Sequence, residues 1–445
     1  MKNLDLSKLN QAQILPVTDT DGQILVVAGA GSGKTRVLTY RVAHLIEKGV
    51  DPYNILAITF TNKAANEMKS RINDMLSGQS PVWVSTFHSM ANRILRADID
   101  KIGYDKNFSI YTDQDAERVL KRIIANKHFE DKEGAKILSK VKYHISSAKN
   151  IGHSPEKYAL TAALNGDDAE AVIDIFKAYE NELRASNALD FDDLLLKTVE
   201  LFLNCPDVLV KYGKRFRYIH IDEFQDTNKV QYMLLRMLSS YHMNVFAVGD
   251  DDQSIYGFRG ADVSNILNFK KDFPEAKIYK LERNYRSTES ILSAANTVIL
   301  NNRDRIDKTL WTEADGGEKV IIKENFSDRD EADYVLKKID EYVGAGYKLN
   351  DMAILLRQNS LTRLFEERLN LHGYQYKLYG GFRFYERKEI KDVVSYMKMI
   401  SNKKDNEAVL RIINFPKRGI GDAVVAKLNL CAQKYNADIF DIILQ

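Results

Sequence analysis

The chain has 445 residues, 44% of them apolar and 28% charged, enough for about three domains of ordinary size. Its 64 Lys and Arg almost balance 62 Asp and Glu, which excludes an acidic disordered tail and a histone-like polycation, so any nucleic-acid contact must be local. Two cysteines, Cys205 and Cys431, rule out a disulfide framework and a Cys-built zinc site, and no apolar stretch resembles a signal peptide or reaches the roughly 18 residues of a membrane span. A soluble, cytoplasmic protein without membrane attachment is expected.

In chain order, Ile24–Val27, Ile55–Phe60 and Val82–Ser85 are short apolar runs of the kind that form buried parallel strands. The segments between them, Lys34–Glu47 and Lys63–Leu76, carry helical periodicity, and a Pro-containing loop at Gly49–Asn54 separates the first helix from the second strand. From about Asp113 to Leu203 the strand signal disappears, and Asp115–Lys127 and Asp168–Ala185 predict an all-helical insertion. Strands return at Tyr218–Asp222 and Val245–Gly249 around a helix at Lys229–Ser239, so the same α/β sheet is expected to resume. A second α/β unit is expected from near Lys277, with strands Val320–Lys323, Met352–Leu356 and Gln375–Leu378 and helices Arg329–Tyr342 and Leu361–Leu371. Two similar cores imply a cleft. After Gly380-Gly381 the pattern is helical again.

Three loops carry chemistry. Ala28-Gly29-Ala30-Gly31-Ser32-Gly33-Lys34-Thr35 follows an apolar strand and opens a helix, as a phosphate-binding loop must, with Ala28 in the first position where Gly is usual. Its glycines let backbone N–H groups wrap a phosphate, Lys34 reaches β/γ oxygens, and the Thr35 hydroxyl suits Mg²⁺. Asp222-Glu223 end an apolar strand and point in different directions, so Asp222 can serve a metal while Glu223 accepts a proton from water; an acidic strand end or helix cap is the plainer alternative. In Gly249–Asp262, Gln253 can sense a γ-phosphate oxygen, and Phe258 and Arg259 can meet a base and a backbone, although such a loop can also be turn chemistry alone.

These residues, with others, resemble the UvrD/PcrA/Rep-type superfamily 1A DNA helicases over nearly the whole chain. Leu9-Asn-Gln-Ala-Gln13 resembles the adenine-reading Q motif, while Thr59–Ala65 and Ser85–Ser89 resemble DNA-contacting motifs. Asp222–Asn228 resembles motif II, with Phe224 where Tyr is common; the 249–262 loop resembles motif III, with Phe258 in place of a Trp and Gly257 in place of an Arg; and Glu282–Thr288 resembles motif IV. The resemblance implies an α/β fold with two RecA-like parallel-sheet domains, each carrying a helical insertion: 1A at 1–112 and 204–280, 1B at 113–203, 2A at 281–382 and 2B from 383 to 445. It further implies ATP and Mg²⁺ as cofactors. Gln13 would read the adenine, Tyr285 would stack on it, and Arg286 would reach the γ-phosphate from the second domain; Arg36 joins the nucleotide contacts.

With balanced net charge, a DNA strand must be held by stacking and a few local groups. Candidates are Phe60, Asn62, Thr86, His88, Phe258, Arg259 and Arg357; taken alone, Phe60 would be a core aromatic, a reading that only the motif context displaces, and His88 could as well be a hydrogen-bonded loop histidine. Arg383–Arg418 holds ten Lys/Arg against five Asp/Glu and could face duplex DNA or simply be a solvated helix face. The family's motifs V and VI are absent, so the expectation is a fragment of an ATP-dependent 3′-to-5′ helicase of repair or replication, acting on single-stranded and junction DNA. Such a fragment would bind ATP and DNA but unwind poorly or not at all. A non-catalytic nucleotide-gated DNA-binding module and a helicase-nuclease subunit are the alternatives.

Overall fold

The computed structural model describes residues 4–76, 78–126, 131–161, 169–314, 316–379, 388–435 and 437–444. They form two compact units, one of residues 1–318 with 398–445 and one of 319–397.

The first unit is built on strands β1 (Gln23–Ala28), β2 (Ile55–Thr59), β3 (Trp83–Thr86), β6 (Tyr218–Ile221), β7 (Val245–Gly249) and β8 (Lys277–Leu281), which lie in the order β3-β2-β6-β7-β1-β8. Every pairing is parallel, for example Val26 opposite Val248 and Tyr279. The central strands are apolar along nearly their whole length because both faces are covered. Alternate residues therefore feed two cores. Leu25, Val27, Leu56 and Ile58 pack with Phe87, Ile94 and Leu234, whereas Ile24, Val26, Ile55 and Ala57 pack with Val37, Leu38, Val42 and Met68. In such a sheet the loops leaving the carboxyl ends of the strands share one edge, and all three chemistry-bearing loops do so here.

Between β3 and β6 lie helices Asp113–Ala125, Asp131–Asn150, Pro155–Thr161 and Ala169–Ala185, which share a core that includes Val119, Leu120, Val141, Val172 and Phe176. Two short parallel strands, β4 (Ser109–Ile110) and β5 (Ala188–Leu189), flank this group. The fully buried Lys149 ammonium lies 2.7 Å from Glu180, 2.7 Å from Asp190 and 2.8 Å from Asp193. The 398–445 segment joins the same unit: Asn402 donates to the carbonyls of Ser186 (3.0 Å) and Asn187 (3.1 Å), and Glu407 pairs with Arg118 (3.0 Å) and Arg122.

Two expectations are corrected. Lys277–Leu281 does not begin a second core but closes the first sheet beside β1; its lysines and half-exposed Ile278 mark an edge strand. In the second unit, helices Asp328–Gly344 and Thr362–Leu371 pack through Leu336, Ile339 and Leu369, yet Val320–Lys323, Met352–Leu356 and Gln375–Leu378 form no strands among the described residues. Ile322 and Leu355 are 95% and 93% exposed. Short apolar runs favour a strand, but a parallel ladder also requires a distant partner in register, which no local pattern encodes. Gly380-Gly381 and the expected 382/383 boundary lie outside the described residues. Among the described residues no helix is long and apolar enough to cross a membrane.

Candidate functional site

The phosphate loop leaves β1 at Ala28 and turns into the Lys34–Glu47 helix. Gly29 N–H donates to Leu281 O (3.2 Å), and the Ser32 hydroxyl donates back to Gly29 O (2.7 Å), which closes the loop on itself around Ala30. Gly31 and Gly33 have φ of +69° and +92°, a region that disfavours side chains, and a Cβ on Gly31 would lie 2.6 Å from Asn284 Nδ2. Lys34, the first helical residue, is buried, and its ammonium is 2.9 Å from Glu223 Oε2. Thr35 Oγ1 donates to Asp222 Oδ2 (2.9 Å). Arg36 points elsewhere and donates to Lys8 O (2.8 Å).

The acid pair follows β6. Asp222 is buried, and that burial, reinforced by the Glu223 charge, raises its pKa to about 6. Glu223 adopts the left-handed conformation, φ 52°, at the turn where the strand stops. Its carboxylate also accepts from Gln225 Nε2 (2.9 Å), while Gln225 Oε1 accepts from the Asp250 N–H (2.9 Å). The buried Gln225 amide thus bridges the loops after β6 and β7. Asp226 also has its pKa raised to about 6, through burial first and the Glu223 charge second. Gln253, at the end of a one-turn helix, is half-buried and donates to the Asp250 carboxylate.

The stretch after β8 crosses the phosphate loop. Asn284 donates to Ala30 O (2.6 Å), Tyr285 N–H donates to Gly31 O (3.0 Å), and Arg286 N–H donates to Asn284 Oδ1 (2.7 Å). Tyr285 and Arg286 are exposed, and the Tyr285 hydroxyl accepts from Asn10 (2.6 Å). Gln13 is buried in a capping box with Asn10, and its Nε2 donates to Ser32 O (2.9 Å). Gln13, Tyr285 and Arg286 therefore all lie beside the phosphate loop.

Phe60 stacks on Tyr256 (centroids 4.7 Å apart), Tyr256 meets Phe258 at 6.0 Å, and Arg259 lies over both Tyr256 and Phe258. Phe258 is 75% exposed. Asn62 accepts from Ser89 Oγ (3.2 Å), and Thr86 is buried as the cap of the Phe87–Asp98 helix. His88 stacks on the exposed Phe191 at 3.9 Å; burial pushes its pKa down to about 4, leaving the ring neutral at pH 7. Arg357 belongs to the second unit and is exposed.

Sequence reasoning passed over Asn10, Gln225, Tyr256 and Asn284. Asn10 could have been found from its Asn-x-x-Gln capping spacing, whereas the others acquire roles only through contacts across the sheet edge. The donor set fits a magnesium–nucleotide complex: a Gly-rich turn aimed by a helix N-terminus, a buried lysine, and a hydroxyl beside a buried carboxylate whose charge calls for a cation.

The sequence model of the UvrD/REP helicase N-terminal domain matches residues 9–274, and that of the UvrD-like helicase C-terminal domain matches 279–445. An ATP-dependent DNA helicase PcrA of Staphylococcus epidermidis is 46% identical over 447 aligned residues, covering 100% of this chain and 60% of that protein. Its Staphylococcus aureus counterpart is 46% identical over 446, covering 99% and 60%. The chain thus spans 60% of the length of these relatives. With both halves matched in order, the chain belongs to the UvrD/REP helicase family.

Proposed function

We propose that the chain binds and hydrolyses ATP with Mg²⁺ and uses the cycle to move 3′ to 5′ along single-stranded DNA as a helicase of repair or replication, in the cytoplasm, on single-stranded and junction DNA. The observation that carries this reading is one loop, 250–262, with a different chemistry at each end. Gln253 lies near the acid pair through Asp250 and Gln225, and Phe258 and Arg259 lie on the aromatic face. A phosphate-dependent change at the first end is mechanically tied to the second.

In this reading Lys34 and the loop amides bind the β- and γ-phosphates, and Thr35 and Asp222 hold the metal. Bound magnesium would supply charge neutralisation at the phosphate oxygens. Glu223 Oε takes the proton of the attacking water, and its left-handed backbone and the Gln225 amide aim it. Arg286 stabilises charge on the phosphoryl group, while Tyr285 and Gln13 face the adenine. The residue blocks 1–112 with 204–280, 113–203, 281–382 and 383–445 are proposed as 1A, 1B, 2A and 2B. The test is ATP turnover with and without oligothymidylate, together with arrival of the protein at a labelled strand end. Turnover should rise at least about tenfold with DNA, and arrival should be seen at the 5′ end; turnover indifferent to DNA, or arrival at the 3′ end, would refute the proposal.

A further inference from the structure

Asp250, Asp251 and Asp252 place three carboxylate oxygens within 4.8 Å of one another. Their side chains are only 3%, 1% and 7% exposed. Three adjacent carboxylates so deprived of water repel one another unless a cation sits among them. That cation is Lys308, itself 3% exposed, with its Nζ 3.0 Å from Asp250, 2.6 Å from Asp251 and 2.7 Å from Asp252. Arg305 adds a second charge against Asp252 (2.9 Å), and Ile306 N–H donates to Asp251 (2.8 Å).

The segment that carries Lys308 works as a strap. Leu310 packs on Gly29 so closely that a Cβ there would displace the Leu310 side chain. Trp311 N–H donates to Glu282 O (3.0 Å), and its carbonyl accepts from Asn284 N–H (2.7 Å). One run of seven residues, 305–311, thus touches the polar loop, the phosphate loop and the stretch leading to Tyr285 and Arg286. Within the polar loop, Asp250 is the shared node: one carboxylate oxygen meets Lys308, the other accepts the Gln253 amide, and the backbone N–H meets Gln225.

We propose that Lys308 is a positioning residue, a built-in counter-cation that fixes the three-aspartate turn and thereby holds Gln253, so that loss of its charge lowers the turnover number and spares ATP affinity. This rests on the proposed ATPase reading for its kinetic consequence and on the geometry alone for its structural one. The test compares wild type, Lys308→Met and Lys308→Arg in this chain by steady-state ATP turnover at saturating oligothymidylate and by amide hydrogen exchange without nucleotide. Lys308→Met should lower kcat by about tenfold or more while KM for ATP stays within about threefold, and Lys308→Arg should restore much of kcat. Amides at 250–256 should exchange at least about tenfold faster in Lys308→Met, with those at 29–35 unchanged. Should Lys308→Met fail to fold, the double variant Lys308→Met with Asp251→Asn, which removes one surplus carboxylate, serves in its place. An unchanged kcat, or KM and kcat worsening together, would overturn the proposal. If wild type hydrolyses no ATP, the ATPase reading falls while the exchange comparison still decides the role of Lys308: faster exchange confined to 250–256 sustains it, and unaltered exchange overturns it.

Discussion

Glu223 is held in a conformation that a residue with a side chain adopts at a cost of order 1 kcal/mol or more, and Lys34 and Gln225 both hold its carboxylate in place. If it is the proton acceptor, Glu223→Gln should leave nucleotide affinity within a few-fold of wild type and slow hydrolysis by about 10² to 10⁴ in single-turnover assays; a loss of only a few-fold would assign the water to another residue. Gln225→Leu should cut the bridge between the two loops and cost about 1–3 kcal/mol by denaturant titration, because it strands the Asp250 N–H without its acceptor. His220 tests burial. It is fully enclosed in β6 beside Phe246, and burial, then the nearby Arg41 charge, hold its pKa well below 6.5. Below pH 6.5 the unfolded chain takes up a proton here and the folded chain does not, so stability falls with pH. From pH 7 to pH 5 wild type should therefore lose about 2 kcal/mol more than His220→Leu. Asp222 and Asp226, with pKa values near 6, work in the opposite direction, which is why the difference between the two proteins is the informative quantity. Identical losses would show that His220 titrates alike in both states.

At the scale of elements, the buried strands were legible because parallel strands covered on both faces are continuous apolar runs: the expected Val245–Gly249 matches β7, and Lys34–Glu47 matches its helix end to end. The edge strand β8 went unread: a second unit was expected to start near Lys277, and only the ladder of Lys277–Leu281 to β1 places the segment in the first sheet. The aromatic face was half legible. Phe60 and Phe258 were expected to contact nucleic acid, but Tyr256, which connects them, carried no signal outside the fold. If bases stack there, Phe258→Ala should weaken binding of short single strands by about 1–3 kcal/mol in fluorescence titrations, while ATP affinity without DNA stays the same. Unchanged DNA affinity would remove Phe258 from the interface.

At the scale of the molecule, near-neutral net charge conceals strongly charged local clusters, such as Lys149 with its three carboxylates and Glu407 between two arginines. Such clusters join residues far apart in sequence, so composition and spacing could not announce them. Glu407 is 4% exposed, and Glu407→Ala would leave Arg118 with Asp115 alone and Arg122 with Glu182 alone, which should destabilise the first unit by about 1–3 kcal/mol in thermal or denaturant melts. The account as a whole depends on a triphosphate seated on the loop from Ala28 to Thr35. Its most direct test is an equilibrium titration of this chain with ATP and Mg²⁺, in wild type and in a folded Lys34→Ala variant. The expected result is saturable, magnesium-dependent binding that the substitution weakens by about a hundredfold or more. Equal affinity in the two proteins would contradict the account.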